Sequence, residues 1–267
     1  GATHAYTWIL GHQRENAAKR LNGYVSQFRI TGGISRYPFY PKRETFTTKT
    51  SHHNDITVGN SGADTKLIAI HHSTITTDGS GTGKTITATG SPTFSTTYGA
   101  PGYSFYSETN KYVSVASHAD FAFGTGDFTI EFWTRPAGAS AMCIFDMNTS
   151  GTSWAPAVFV NSSNGFEYFA GGSTRISSSG SLFVTSPKRW VHVAISRISN
   201  VTRMFVNGQH QGSDFSDSNT YVQGAVFLGR KYEGSNSFHG DISNVRIVKG
   251  TGMYNKSFTA PTSELKG

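Results

Sequence analysis

The chain has 267 residues, of which 36% are hydrophobic, 13% aromatic and only 15% charged, and its formal net charge is +7. Thirty glycines and a low charged fraction are typical of a turn-rich β-protein and disfavour a helical one. The single cysteine, Cys143, excludes an internal disulfide, so we expect folding in a reducing cytoplasm. The cations are scattered and the apolar runs are short, so we expect neither a specific nucleic-acid partner nor membrane insertion.

The first predicted element is one half of a repeat. Residues 23–37 read GYVSQFRITGGISRY and residues 240–254 read GDISNVRIVKGTGMY, with Gly, Ser, Arg, Ile, Gly and Tyr shared at a constant offset, since 240 − 23 and 254 − 37 both give 217. A repeat of this length indicates two copies of one domain. We therefore interpret residues 1–46 as the closing strands of a preceding copy and expect the chain to be a cut from a longer tandem array.

Residues 47–61 are polar, rich in Gly, Asn and Ser and without periodicity, which predicts a linker. Beyond it, residues 62–267 are predicted to form one complete all-β domain, because short β-branched or alternating runs recur between turn signals. The run 190–197 alternates so that one face packs and the other is partly exposed. Asn207 and Gly208 predict a tight hairpin, since both central residues of the favoured turn need a positive φ. The predicted strands are 67–71, 85–89, 112–115, 128–134, 142–146, 157–160, 166–170, 190–197, 203–206, 225–228 and 241–248.

Several phrases in this region identify a family resemblance. FAFGTGDFTIEFW at 121–133, WVHVA at 190–194 and FVNG at 205–208, together with 240–254, resemble laminin-G-like, concanavalin A-like jelly-roll domains. The resemblance runs from about residue 64 to residue 265. It implies an antiparallel sandwich of two sheets, each with six or seven strands, preceded here by the C-terminal strands of a second copy. The phrase 240–254 more narrowly resembles copies in structural proteins of tailed bacteriophages.

The resemblance raises the question of catalysis, since glucanases with this fold use a strand with three alternating acidic residues as nucleophile and general acid. Here Asp127 and Glu131 flank Thr129 on the predicted strand. The missing third acid indicates that the chain is not an enzyme, and we expect Glu131 to hydrogen-bond nearby backbone.

The resemblance also implies calcium at the rim of the sandwich, bound by carboxylate and carbonyl oxygens. The usual acidic positions are largely replaced, for example by Ser243 and Asn244. We therefore expect no cofactor, with a calcium site at Glu108, Asp214 or Asp217 as the alternative. The histidine pairs at 52–53 and 71–72 do not predict zinc, because adjacent residues of a strand point to opposite faces.

Aromatic and polar residues in the turn-rich segments are the candidate ligand contacts, because binding residues concentrate in loops and sugars stack on aromatic rings. An alternative is that these rings pack against a neighbouring domain. Two other features carry no chemistry: Cys143 is predicted to be a small core residue, and the Gly-rich stretch 79–84 a turn rather than a phosphate loop. The candidate contacts are Trp154, Tyr221, Arg230, Tyr232 and Asn236.

These observations favour a non-enzymatic structural and adhesion module of a phage virion, in a tail fibre, a spike or a capsid decoration. Its expected partners are host cell-surface polysaccharide or other subunits of the same particle. The sequence leaves the oligomeric state open, with a homo-oligomer as one alternative. The first alternative is a carbohydrate-binding adhesin that is secreted or on the surface of a bacterium. A glycan hydrolase is the less favoured alternative, because the acidic triplet is absent.

Overall fold

The computed structural model describes residues 12–13, 16–20, 64–71, 76–95, 103–138, 140–148, 155–178, 180–183, 189–262 and 264–265. The chain divides into two compact units, residues 1–50 and 51–267. In the first unit, β1 (His12–Gln13) pairs antiparallel with β2 (Asn16–Arg20). The repeat copy at 23–37 and the linker at 47–61 lie outside the described residues, so the domain boundaries stay predictions.

The described part of the second unit consists of strands joined by turns, with a single turn of 3-10 helix at Ala119–Phe121. All eleven strands predicted from the sequence are present, and β5, β6, β12 and β15 were not predicted. The strands are β3 (Thr65–Ala69), β4 (Ile86–Thr89), β5 (Thr93–Ser95), β6 (Ser104–Ser107), β7 (Tyr112–Val115), β8 (Phe128–Pro136), β9 (Met142–Asp146), β10 (Ala157–Val160), β11 (Phe166–Ala170), β12 (Ser173–Ser177), β13 (Val191–Ile198), β14 (Val201–Val206), β15 (Gln209–Ser216), β16 (Val226–Leu228) and β17 (Gly240–Lys249).

These strands form two antiparallel sheets. The seven-stranded sheet has the order β12-β11-β10-β9-β16-β7-β4, and the eight-stranded sheet has the order β15-β14-β13-β8-β17-β6-β5, with β3 paired to β17. Strands distant in sequence are neighbours, such as β16 and β7, which is the pattern of a jelly roll. The predicted two-sheet jelly-roll sandwich is confirmed, and one sheet has one strand more than the resemblance implied.

The core lies between the two sheets and follows from the alternation along each strand. On β8, Phe128, Ile130 and Phe132 point inward and are fully buried. Phe132 stacks on Phe145 of β9 with ring centroids 6.3 Å apart, which joins the sheets. Cys143 is buried as predicted, and burial raises the pKa of its thiol. Stability therefore comes from apolar packing without a cross-link.

Two predicted turns are also confirmed. Asn207 and Gly208 have φ values of 49° and 75° and join β14 to β15. The stretch 79–84 is a turn held by the carboxylate of Asp78, which accepts hydrogen bonds from the backbone N–H groups of Ser80 (2.9 Å) and Lys84 (3.1 Å). Over the described ranges, no helix is long and apolar enough to cross a lipid bilayer.

Candidate functional site

The outer face of the eight-stranded sheet holds a buried carboxylate at the centre of β8. Glu131 is 0% exposed, and its Oε1 accepts a 2.7 Å hydrogen bond from Nε of Arg246 on β17. Its Oε2 lies 3.1 Å from Nε2 of His192 on β13 and accepts a 2.9 Å bond from the hydroxyl of Tyr254. The expectation that Glu131 binds nearby backbone is wrong, because three side chains from distant parts of the chain hold it.

Burial is the largest single influence on Glu131 and raises its pKa. The charge of Arg246 and the hydrogen bonds from His192 and Arg246 act in the opposite direction, and together they lower this pKa to about 2. Glu131 is therefore a fixed anion that holds three strands and the chain beyond them together. A general acid needs the opposite shift, toward the working pH.

Residues 251–258, called here the covering segment, close this face of the sheet. The hydroxyl of Thr129 donates to the carbonyl oxygen of Thr251 (3.1 Å) and accepts from the N–H of Met253 (2.8 Å). The rings of Tyr254 and Phe258 stack 3.7 Å apart, and with Ala194 and Phe205 they form a second, smaller apolar cluster. The prediction that the second face of the run 190–197 is partly exposed is therefore wrong.

The outer face of the seven-stranded sheet carries the predicted residues Arg230, Tyr232 and Asn236 on one connection, residues 229–239, between β16 and β17. The connection leaves the sheet where the N–H of Gly229 donates to the carbonyl oxygen of Ile144 (2.8 Å). It returns where the carbonyl oxygen of Asn236 accepts from the N–H of Cys143 (2.8 Å). Residues 230–235 therefore form a short excursion against the outer face, and its two ends lie side by side on β9.

The guanidinium of Arg230 lies over the aromatic rings of two neighbouring strands. Its guanidinium carbon is 4.2 Å from the ring centroid of Tyr112 on β7 and 5.7 Å from that of Phe227 on β16. Tyr232 meets Phe227 edge to face at 5.7 Å. All four side chains are half-buried, and we call Tyr112, Phe227, Arg230 and Tyr232 the Arg230 platform. Tyr112 and Phe227 were not predicted as site residues, although each is an aromatic residue at an outward position of its strand.

A buried carboxylate beneath the excursion fixes the platform. Asp146, at the end of β9, is 0% exposed, and its Oδ2 accepts a 2.8 Å hydrogen bond from the N–H of Tyr232. Its Oδ1 accepts 2.9 Å and 2.6 Å bonds from the backbone and side chain of Asn148. Burial raises the pKa of Asp146, and the hydrogen bonds from Tyr232 and Asn148 offset this only in part. The backbone of Tyr232 is thereby held in a defined position.

The other predicted residue of the excursion, Asn236, is exposed, and its amide nitrogen donates a 2.7 Å bond to the carbonyl oxygen of Ala141. Its φ of 51° lies in the left-handed region that asparagine tolerates. Its amide thus closes the end of the excursion. Farther along the same outer face lie the half-buried rings of Phe159 and Phe169, 6.1 Å apart, which the sequence analysis did not single out.

Two predicted site residues belong to the core instead. Tyr221 is 1% exposed and its hydroxyl donates a 2.8 Å bond to Oδ2 of Asp217, so its prediction as a ligand contact is wrong. Asp217 is 0% exposed and also accepts from the hydroxyl of Thr202 (2.7 Å) and the amide of Asn219 (2.8 Å). Such a carboxylate is a structural anchor rather than a rim ligand for a metal. Trp154 lies outside the described residues.

The three carboxylates considered for calcium are not brought together. Glu108 pairs with Lys111 at 2.6 Å, and Asp214 pairs with Arg203 at 2.7 Å and with His210 at 2.9 Å, while Asp217 is in the core. Across the described part of the chain, no three His, Cys, Asp or Glu side chains form a metal-binding group. The predicted site at these residues therefore has no common centre.

Solved structures with a similar fold include parts of botulinum neurotoxins. One is a structure of the type C neurotoxin, from work on its interaction with two ganglioside molecules. It is 14% identical to this chain with a TM-score of 0.56, and the match covers 73% of this chain and 50% of that one. Another, the binding domain of the neurotoxin DC in complex with rat synaptotagmin II, is 13% identical with a TM-score of 0.54, covering 72% and 50%. The receptor-binding domain of the C/D mosaic serotype is 12% identical with a TM-score of 0.57, covering 72% and 49%.

The chain thus spans about half the length of these structures, and at this identity the likeness shows the fold alone. No curated protein matches the chain. A family model of the laminin-G type, described as the concanavalin A-like lectin/glucanases superfamily, matches residues 107–251, more than half of the 267 residues. The matched region runs from the end of β6 to the start of the covering segment and so contains both Glu131 and the Arg230 platform. This chain belongs to the concanavalin A-like lectin/glucanase superfamily.

Proposed function

We propose that the chain is a non-enzymatic adhesion module that binds a surface glycan through the Arg230 platform. The observation that carries the proposal is the stacking of the Arg230 guanidinium on Tyr112, with a distance of 4.2 Å to the ring centroid, at a half-exposed position. A sugar ring has apolar C–H faces and a rim of hydroxyl groups. Aromatic rings match the faces, and a planar cation with fixed N–H donors matches the rim.

The platform is organised before any ligand arrives. Among the described residues, Arg230 uses two of its five N–H donors, in bonds to the carbonyl oxygens of Lys231 and Tyr232, each 3.2 Å long. The other three donors form no hydrogen bond within the described part of the chain, and we propose that they bind ligand hydroxyls. Since the guanidinium is already stacked and bonded, binding loses little side-chain entropy.

Several sugar residues fit the length of this face better than one. Cross-strand register runs from Phe227 through Asp146 and Ala157 to Phe169, over four adjacent strands. Three strand spacings of about 4.8 Å separate the two aromatic groups by roughly 14 Å. The two residues between these groups, Asp146 and Ala157, are buried, so we propose as the ligand an extended glycan that contacts both aromatic groups and passes over the covered part of the face between them.

The non-enzymatic part of the proposal rests on the opposite sheet. Glu131, which occupies the strand that carries the acidic residues in glucanases of this fold, is paired with Arg246 and lies beneath Tyr254. Asp127 is engaged with the backbone N–H of Ser199 at 2.9 Å. Neither carboxylate is placed to act on a glycosidic bond as one of the two acids that hydrolysis requires.

A glycan array tests this function. Wild type, Arg230→Ala and the control Phe94→Ala, an exposed aromatic on β5 of the other sheet, are compared with and without EDTA. We expect wild type and Phe94→Ala to bind the same oligosaccharides, Arg230→Ala to bind them at least tenfold more weakly, and EDTA to change nothing. Absence of any bound glycan, or unchanged binding by Arg230→Ala, contradicts the proposal. Binding that EDTA abolishes supports a calcium-dependent lectin instead.

We further propose that the module belongs to a virion, in a tail fibre, a spike or a capsid decoration, where it contacts host glycan or other subunits. The support is the phage-type phrase at 240–254 within a chain of this superfamily. Immunogold electron microscopy with an antibody against residues 62–267 checks it on free particles and on cells. Labelled particles are expected, and label confined to cell surfaces favours the bacterial adhesin.

A further inference from the structure

A cleft of about 500 Å³ opens beside the second half of the 229–239 connection. It is lined by Tyr106 of β6, Ala137, Gly138, Ser140, Met142 of β9, Ser237 and His239. None of these residues belongs to the Arg230 platform. The volume falls in the range of small-molecule sites, about 300–1,000 Å³.

The walls of the cleft are fixed by backbone bonds. The N–H of Ala137 donates to the carbonyl oxygen of His239 (2.8 Å), and Ser237 forms a β-bridge with Cys143. The N–H of Met142 donates to the carbonyl oxygen of Ser140 (2.7 Å). On the outer side, Nε2 of His239 lies 3.3 Å from the hydroxyl of Thr109. The cleft is therefore formed without a ligand.

The chemistry of the lining is polar but without a fixed charge. The lining residues include the hydroxyl-bearing Tyr106, Ser140 and Ser237, the imidazole of His239, and the apolar Met142, which is 6% exposed. The charges nearby compensate one another, since Arg135 pairs with Asp241 at 2.7 Å and Glu108 with Lys111 at 2.6 Å. Such a lining suits a compact ligand with many hydroxyl groups, an apolar face and no charge.

We propose that this cleft is a second binding site, which holds one neutral sugar residue independently of the Arg230 platform. A single ring makes few contacts, so its dissociation constant is expected on the order of 1 mM.

Gly138 offers a way to block the cleft alone. A Cβ built on this lining residue meets no atom within 4 Å, and its backbone is outside the left-handed region, so a large side chain enters open space without strain. Because Gly138 lines the cleft, we expect Gly138→Trp to obstruct it. Val222→Trp is the matched control, because Val222 is 55% exposed and does not line the cleft.

The experiment is an NMR titration of the ¹⁵N-labelled chain with methyl glycosides of neutral hexoses and of N-acetylhexosamines. We expect saturable shifts at the amides of Ser140, Met142, Ser237 and His239 in wild type, Val222→Trp and Arg230→Ala. Gly138→Trp is expected to weaken binding at least tenfold with an unchanged Tm. Should its Tm fall, His239→Ala, at an exposed side chain, replaces it and is expected to weaken binding in the same direction.

Three results overturn the proposal: no saturable shift at the cleft amides, shifts that persist when the cleft is blocked, or shifts that disappear in Arg230→Ala. Shifts confined to Tyr112, Phe227 and Tyr232 overturn the second site while supporting glycan binding by the Arg230 platform. Oligosaccharide binding lost in Arg230→Ala with the cleft shifts intact supports both sites. The two proposals can therefore fail separately.

Discussion

Tyr254 donates a 2.9 Å hydrogen bond to Oε2 of Glu131, a residue 123 positions earlier in the chain. Arg246 binds the other oxygen of the same carboxylate. Both Arg246 and Tyr254 are among the residues that the two copies of the repeat share. The repeat in 240–254 thus includes the residues that attach β17 and the covering segment to β8, and this attachment is structural.

Replacing Arg246 with methionine is expected to lower the free energy of unfolding by about 3–5 kcal/mol, because it leaves Glu131 as a buried charge without its cation. Urea unfolding measures the change. Arg203→Met is the matched control, since Arg203 pairs with the partly exposed Asp214. This variant is expected to lower the free energy of unfolding by less than about 1 kcal/mol. Equal losses in the two variants contradict the structural role of the buried pair.

The free energy of unfolding is expected to fall in acid as Glu131 becomes protonated. The pKa of Glu131 is lowered from its usual value near 4.5 to about 2 in the folded state. Its contribution is therefore fully present above pH 4.5 and is lost as the pH falls through about 2. Unfolding free energies of wild type and Glu131→Gln, measured at pH 6, 4, 3 and 2, should converge toward the lowest pH. A constant difference contradicts the shift.

Gly208 lies beneath the covering segment, and we expect Gly208→Ala to be strongly destabilising. Its φ is 75°, and a Cβ there clashes with the carbonyl oxygen of Phe258. Gly81→Ala is the control, because Gly81 has a φ of 77° with no atom within 4 Å of a Cβ. The free energy of unfolding of Gly81→Ala is expected to fall by only about 1–2 kcal/mol, which is the cost of placing an alanine in the left-handed region. Thermal and urea unfolding compare the two, and the clash predicts the larger loss for Gly208→Ala.

Asp146→Asn is expected to loosen the Arg230 platform. An asparagine has one acceptor oxygen where the carboxylate has two, so either Tyr232 N–H or Asn148 loses its partner. We expect a stability loss of about 1–3 kcal/mol, faster amide hydrogen exchange at Tyr232 and weaker glycan binding. Glu233→Gln, at an exposed position of the same excursion, is the control. It is expected to leave stability, hydrogen exchange at Tyr232 and glycan binding unchanged within experimental error. Unchanged exchange at Tyr232 argues against Asp146 as the anchor.

Eleven strands were predicted from the sequence because each of them carries its own alternation or β-branched run, and the jelly-roll arrangement was predicted from the family resemblance. The four missed strands lack that signal. β15 (Gln209–Ser216), for example, is a mostly exposed edge strand rich in polar residues, and it is a strand because it pairs with β14. Its conformation is set by a neighbour rather than by its own pattern.

The errors at the candidate site have a common physical cause, which is contact between distant segments. Tyr221 stands in a turn-rich segment, yet it is buried because Asp217 and Tyr168 surround its hydroxyl. The outer face of β13 was expected to be partly exposed, yet the covering segment lies on it. Arg230 was recognised by its loop, but its stacking on Tyr112 depends on β7, more than 100 residues earlier.

The excursion at 230–235 begins and ends on consecutive residues of β9, Ile144 and Cys143. Its ends are therefore fixed to one strand, whatever lies between them. Residues can be inserted, deleted or exchanged here without a change of register in either sheet, as at other exposed loop tips. This connection is accordingly the place where new recognition can evolve, or be engineered, on an otherwise unchanged sandwich.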